Sequence, residues 1–247
     1  MRNYQEEFEK AGWPTSGIWS KSSGAAGIVF GNSGGKDSAL VGILCKAACD
    51  DTLGVIMPCA SKRNFGQDAD DGRALAEQFG IESRVVDLTA VRQAEMDELQ
   101  RVTALNDAAV TNIAPRLRMT TLYAIAAAEN RLVAGTGNRS EIHMGYFTKW
   151  GDGASDFNPI SDPTATEVFE FLAYLDAPRS IIEKAPSAGL FDGQTDEAEM
   201  GVTYKAIDNY LLTGAVGDAD KAVIDHYHSR SEHKRRPIST YESTYKK

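Results

Sequence analysis

Apolar runs of strand length alternate with segments of helical periodicity along most of this chain. Short apolar runs predict strands, and apolar positions three or four residues apart predict helices. The predicted strands are 27–30, 53–57, 84–88 and 132–134, and the predicted helices are 38–49, 67–79, 90–105, 109–130, 166–176, 203–212 and 218–230. This alternation is typical of βαβ units, so we expect an α/β fold with a doubly wound parallel sheet flanked by helices.

Turns of small residues follow three of the predicted strands, at 31–33, 58–60 and 135–137. Ligands of parallel α/β sheets bind beyond the carboxyl ends of the strands, where these turns would meet. We therefore expect the functional site at this edge of the sheet.

The turn after the first strand reads Gly31-Asn32-Ser33-Gly34-Gly35-Lys36-Asp37-Ser38. Its glycines let backbone amides at a helix N-terminus approach an anion, which predicts a phosphate-binding loop. A Walker A loop is excluded, because three residues rather than four separate Gly31 from Gly35 and an aspartate follows the lysine. Asp37 would repel a phosphate unless a cation lay between them, which indicates Mg²⁺ on a polyphosphate. The alternative is an ordinary glycine-rich turn in which Asp37 or Ser38 caps the helix.

A second group of polar residues follows the fourth predicted strand. Thr136 lies between two glycines, and Glu141 comes five residues later. They offer a hydroxyl and a carboxylate that could join Asp37 on one Mg²⁺. Lys149 and Asp156 follow among glycines and aromatic residues, a composition more typical of a ligand-binding loop than of a core element.

Composition narrows the class of protein. The 247 residues are 42% apolar and 25% charged, as expected for one large α/β domain. The net charge of −9 argues against nucleic acid as the main partner. No apolar run of membrane-spanning length and no signal peptide is present, so we expect a cytoplasmic protein that does not enter a membrane. The three cysteines indicate buried thiols rather than disulfides or a zinc site.

Several strings taken together resemble the ammonia-dependent NAD synthetases, which are PP-loop ATP pyrophosphatases. The strings are 33–38, 116–119, 135–153, 184–190 and 233–235, and the match spans about residues 27 to 237. The resemblance implies an adenine nucleotide α-hydrolase-like, Rossmann-like fold. It also implies a single synthetase domain over 1–247 without a glutaminase domain, and a homodimer.

The resemblance also implies roles for individual residues. The ATP phosphates would bind the loop from Gly31 to Ser38, with further ATP contacts from Thr136 and Ser187, and Mg²⁺ would bind Asp37 and Glu141. The positions that match binding residues for deamido-NAD are Arg116, Lys149, Asp156, His233 and Lys234.

The implied reaction has two steps. The nicotinate carboxylate of deamido-NAD attacks the α-phosphate of ATP and releases pyrophosphate, and free ammonia then converts the adenylated acid to the amide of NAD. Such catalysis consists mainly of positioning and charge neutralisation, to which Lys36 and Asp37 would contribute directly.

Two positions depart from the family pattern. A lysine that contacts ATP in the family falls on Ala165, and a commonly apolar loop position is Asn32. Because of these two departures, one alternative is a catalytically weakened nucleotide-binding protein of the same fold. The second alternative is another PP-loop adenylating enzyme. A tRNA-modifying enzyme of this class would be expected to have a basic surface and reactive cysteines.

Overall fold

The structure is a computed structural model that describes residues 2–14, 23–59, 61–184 and 195–241. Four parallel strands form one sheet, and in chain order they are Gly27–Gly31 (β1), Thr52–Ile56 (β2), Glu82–Val85 (β3) and Arg131–Ala134 (β4). Their order across the sheet is β3-β2-β1-β4. The parallel sheet flanked by helices confirms the predicted fold class.

Helices connect the strands and follow the last one. In chain order they are Tyr4–Pro14 (α1), Lys36–Ala48 (α2), Lys62–Phe65 (α3), Gln67–Phe79 (α4), Thr89–Gln100 (α5), Asp107–Glu129 (α6), Arg139–Met144 (α7), Ala165–Tyr174 (α8), Arg179–Ile182 (α9), Asp196–Met200 (α10), Tyr204–Thr213 (α11), Asp218–Arg230 (α12) and Glu232–Arg235 (α13). All seven predicted helices are present. The pattern did not predict α1 or the helices of four to six residues, which are too short for helical periodicity to show.

The third strand is the least accurate of the predicted strands, because it covers 82–85 rather than 84–88. It is an edge strand, and its side chains are mostly exposed. Arg84 forms ion pairs there with Glu82 and Glu129. An edge strand that carries charges lacks the continuous apolar run of a buried parallel strand, so its ends are poorly marked in the sequence.

The two faces of the sheet carry separate clusters of buried residues. Phe30 of β1 packs with α2 and α8 on one face, and Val29 packs with α6 on the other. Phe30 fits because Gly42 and Gly54 have no side chains, and a Cβ at Gly42 would lie 2.5 Å from its ring. This packing places the N-terminus of α2 directly at the carboxyl end of β1.

A third cluster joins α7 to the C-terminal helices through Met144, Ile207 and Ile224, which are fully buried. It fixes α7 at the carboxyl end of β4, opposite α2. In the described ranges, no helix combines the length and the apolar character that crossing a membrane requires.

Candidate active site

The phosphate loop joins β1 to α2 and is held by hydrogen bonds among its own residues. The Ser33 and Ser38 hydroxyls lie 3.0 Å apart, and the Ser38 hydroxyl donates to the Gly35 carbonyl oxygen. Gly34 has a φ of 71°, and a Cβ at this position would overlap the Asp68 carbonyl oxygen. Only glycine fits there, and the loop backbone remains open to an anion at the helix N-terminus.

Asn32 is fully buried beside this loop, and its amide has partners. Its Nδ2 donates to the Gly72 carbonyl oxygen at 2.8 Å, and its Oδ1 accepts from the Gly34 N–H at 3.4 Å. A Cβ on Gly72 would lie only 3.1 Å from that Oδ1. The close approach of α4 therefore supplies the partners that a buried asparagine needs.

The Lys36 ammonium lies between two carboxylates at the start of α2. It forms an ion pair with Asp37, and its Nζ is 3.8 Å from Glu141 Oε1. The rings of Phe169 and Tyr204 lie 5.7 and 5.5 Å from the ammonium. Burial opposes the charge, but the two carboxylates outweigh it and raise the pKa of Lys36. Lys36 therefore brings a full positive charge to the site.

Asn138 holds both carboxylates in place. It is the N-cap of α7, where its Oδ1 accepts from the Glu141 N–H at 3.0 Å and its own N–H donates to Glu141 Oε2 at 3.1 Å. Its Nδ2 donates to Asp37 Oδ1 at 2.9 Å. One asparagine thus connects the ends of β1 and β4. Burial and the neighbouring Asp37 raise the pKa of Glu141, and the nearby Lys36 ammonium opposes that rise.

The donor set at Asp37 and Glu141 fits Mg²⁺, which prefers carboxylate oxygens. In the part of the chain that the structure describes, no group of three or more His, Cys, Asp or Glu side chains could hold a metal ion. Mg²⁺ usually takes one or two carboxylates and completes its shell with substrate phosphates and water. The pair therefore suits an ion that arrives with ATP.

These groups open into a cavity of about 1040 Å³ at the carboxyl ends of the strands. Its volume matches the upper end of ligand pockets, about 300 to 1,000 Å³, and leaves room for a large nucleotide. The predicted site residues that line it are Gly31, Asn32, Ser33, Gly35, Lys36, Asp37, Ser38, Thr136, Glu141, His233 and Lys234. Ser187 lies outside the described residues.

Helix α13 packs against the loop after α7 and covers one side of the cavity. Lys149 Nζ donates to the His233 carbonyl oxygen at 2.7 Å. Lys234 Nζ donates to the carbonyl oxygens of Gly145 and Phe147 at 2.7 and 2.6 Å, and burial lowers the pKa of Lys234. Both ammonium groups thus bind the chain's own carbonyls.

Three predicted substrate residues, Arg116, Lys149 and Asp156, lie outside the cavity lining. Arg116 is exposed, and its guanidinium approaches the Lys149 carbonyl oxygen at 3.4 Å. Asp156 accepts from the Val133 N–H at 2.8 Å and from the Tyr123 hydroxyl at 3.1 Å. In this arrangement Asp156 binds the outer edge of β4, a contact that the sequence did not predict.

The sequence indicated no role for two residues that position the site. Lys184 Nζ lies 2.6 Å from Asp68 Oδ1 and 2.8 Å from Asp71 Oδ2, and it donates to the Gly34 carbonyl oxygen of the phosphate loop. Lys184 begins one of the strings that carry the resemblance, but its contacts could not be predicted because its partners lie more than 100 positions away. The role of Asn138 could have been found, since an asparagine three residues before a glutamate is the pattern of a capping box.

A parallel sheet with a Ser-Gly-Gly-x-Asp-Ser loop after one strand, facing a carboxylate beyond another, defines the class of PP-loop ATP pyrophosphatases. This class uses the loop to hold the phosphates of ATP. The chain belongs to the NAD synthase family, whose profile matches residues 19–247. Membership confirms the resemblance seen in the sequence and identifies the chain as a ligase, and it does not favour the two alternatives.

The chain is similar to relatives over almost its whole length. It is 48% identical to an NH(3)-dependent NAD(+) synthetase of Carboxydothermus hydrogenoformans, over 95% of this chain and 96% of that protein. Among solved structures it resembles an NMN synthetase from Francisella tularensis, with a TM-score of 0.91, 39% identity and coverage of 98% of this chain and all of that one. An NH3-dependent NAD synthetase from Campylobacter jejuni gives a TM-score of 0.78 at 27% identity, with the same coverage.

Proposed function

We propose that this chain amidates deamido-NAD with ammonia at the expense of ATP, giving NAD, AMP and pyrophosphate. The observation that carries this proposal is the pairing of Asp37 with Glu141 around the Lys36 ammonium, beside the phosphate loop. This pairing supplies the charges that transfer at the ATP α-phosphate requires.

In the first step, different residues act on the phosphates and on the metal ion. An oxygen of the nicotinate carboxylate attacks the α-phosphorus, and the bond to the bridging oxygen of pyrophosphate breaks. The loop amides bind the phosphates, and Lys36 offsets the negative charge on their oxygens. Asp37 and Glu141 would hold Mg²⁺, which when bound neutralises phosphate oxygens and orients the leaving pyrophosphate.

The second step requires that water be kept away from the adenylated acid. Ammonia attacks the acyl carbon, AMP leaves, and the surplus proton passes to solvent. Water would give the original acid instead, so the site must close during the reaction. We assign this cover to α13, through the bonds of Lys149 and Lys234 to the neighbouring backbone.

A second candidate function is amidation of the corresponding mononucleotide to NMN. The backbone match to the F. tularensis NMN synthetase is closer than that to the C. jejuni NAD synthetase. In addition, Lys149, Asp156 and Lys234, which the sequence predicts to bind the dinucleotide, already bond within the chain. A mononucleotide would bind without breaking these hydrogen bonds within the chain.

The remaining parts of the proposal follow the family. The nitrogen donor is free ammonia, supported by the NH(3)-dependent relative that is matched over 96% of its length. We further propose Mg²⁺ as the metal, a homodimer as the assembly and the cytoplasm as the location. Sedimentation of the purified protein tests the dimer.

The test supplies ATP, Mg²⁺ and ammonium with either deamido-NAD or the mononucleotide, and measures the nucleotide products by chromatography. We expect NAD and AMP in equal amounts, and the ratio of the two kcat/KM values decides between the candidates. Asp37→Asn and Glu141→Gln should each lower kcat about 100-fold, whereas Asp70→Asn, at an exposed position of α4, should not. ATP binding without amide formation from either acid would contradict both functions.

A further inference from the structure

The cavity wall includes a partly buried cation, Arg118, to which neither the resemblance nor the proposed reaction gives a role. We infer that Arg118 binds an oxyanion of a bound nucleotide, either a phosphate or the nicotinate carboxylate. This inference rests on the proposed function, because it requires an anionic nucleotide in this cavity.

Within the described ranges Arg118 forms no direct ion pair, and the carboxylates of Asp152 and Asp68 act on its charge only from a longer distance. Its Nε donates to the Met57 carbonyl oxygen and its Nη2 to Asn64 Oδ1, both at 3.0 Å, and both acceptors are neutral. An arginine has five N–H donors, so three remain for a ligand.

Arg131 of β4 shows how a buried guanidinium is usually paired. The Arg131 side chain is 7% exposed, and its guanidinium binds two carboxylates, Asp51 at 2.8 Å and Glu129 at 2.9 Å. A buried charge normally needs such partners, since desolvation is costly. Arg118 lacks them at a cavity wall, which is where a ligand can supply the missing negative charge.

The guanidinium is also held in a fixed orientation. Asn64 Nδ2 donates to Asp68 Oδ2 at 3.0 Å, so the amide oxygen of Asn64 must face Arg118. Asp68 is in turn fixed by Lys184 at 2.6 Å. A donor group that is oriented before the ligand arrives loses little freedom on binding. Burial lowers the pKa of Arg118, in agreement with a desolvated position.

The experiment measures the affinities of ATP, deamido-NAD and NAD by calorimetry on wild type, Arg118→Met and Arg118→Lys. Arg101→Met, which removes an exposed arginine paired with Glu98, is the control. We expect Arg118→Met to weaken at least one ligand about 10- to 100-fold, as loss of a charged hydrogen bond does, and Arg118→Lys to fall between it and wild type. Arg101→Met should leave all three affinities unchanged.

The pattern of losses identifies the oxyanion. A loss for ATP alone assigns its phosphates, and equal losses for deamido-NAD and NAD assign the phosphates of the dinucleotide. A loss for deamido-NAD that spares NAD assigns the carboxylate, because only this group differs between them.

Melting curves separate ligand binding from a structural role. An arginine that only braces the fold would lower Tm when replaced and leave the affinities intact. Affinities within twofold of wild type in both variants would overturn the inference and leave the proposed function standing, provided wild type binds the nucleotides. If Arg118→Met does not fold, Arg118→Lys alone must show at least a fivefold loss at a native Tm. Wild type that binds none of the three nucleotides would overturn the proposed function, and the inference with it.

Discussion

Replacing Lys36 by methionine tests whether the site depends on a cation between its two carboxylates. The Lys36 side chain is 5% exposed, and its ammonium serves both Asp37 and Glu141. Removing one member of a buried ion pair typically costs about 3 to 5 kcal/mol, because the remaining charge has no partner. We expect Lys36→Met to lose about 3 kcal/mol of unfolding free energy without Mg²⁺.

Mg²⁺ should reverse much of that loss, because it can take the place of the ammonium. At a concentration of 100 times its Kd, an ion that binds only the folded state contributes about 2.7 kcal/mol. The wild type should gain less, since there the ion must displace the ammonium. Urea unfolding at pH 7.5, with and without 10 mM MgCl₂ at matched ionic strength (about 0.15 M), measures both effects.

Lys46→Met is the matched control, because Lys46 lies on the same helix α2 and pairs with the exposed Asp50 at 3.6 Å. It should change stability by less than about 0.5 kcal/mol and respond to Mg²⁺ as wild type does. A Lys36→Met protein within about 1 kcal/mol of wild type would refute the electrostatic argument. Equal stabilisation of both proteins by Mg²⁺ would show that the ion binds elsewhere.

Three further predictions concern the loop, its support and pH. Gly34→Ala should lose at least about 2 kcal/mol more than Gly201→Ala in urea unfolding, because both have positive φ but only the Cβ at Gly34 meets the Asp68 carbonyl. Lys184→Met should cost about 3 kcal/mol and weaken ATP binding in a filter assay, since Asp68 and the loop carbonyl lose their shared partner. Burial, followed by the neighbouring histidine, lowers the pKa of His143 to about 4, so it stays neutral when folded. As pH falls from about 6.5 to 4, the unfolded chain gains a proton that the folded chain lacks, and stability should drop by about 2 kcal/mol after allowance for solvent screening. His143→Gln should remove that part of the pH dependence, and an unchanged profile would contradict the assignment.

Much of the fold was predictable because its signals are local. The apolar run of β1, the loop and the start of α2 form one continuous stretch, and the long helices show their period within single windows. The strand β3 was predicted but its ends were not, because an edge strand such as Glu82–Val85 carries exposed charges instead of a continuous apolar run. Short helices such as α7 span too few residues to show a period.

The site was predictable only in part. The loop and Glu141 stood out by residue type and spacing, but the reason they work together is Asn138, whose amide connects Asp37 to α7. The support from Lys184 could not be predicted, because it depends on packing between elements far apart in sequence. The position of Asp156 against the edge of β4 is likewise a tertiary contact that no motif records.

The alanine at position 165 bears on whether the site has lost a charge. The resemblance implies a lysine there, but Ala165 is 1% exposed and its N–H donates to Ser140 Oγ at 3.1 Å. One turn later on α8, Phe169 lies 5.7 Å from the Lys36 ammonium. A lysine from the phosphate loop therefore brings positive charge to the same face of α8 from which a lysine at 165 would extend. That ammonium also lies beside Glu141. The phosphate loop therefore supplies the positive charge that a lysine at position 165 would supply, and Ala165 does not by itself indicate a weakened site.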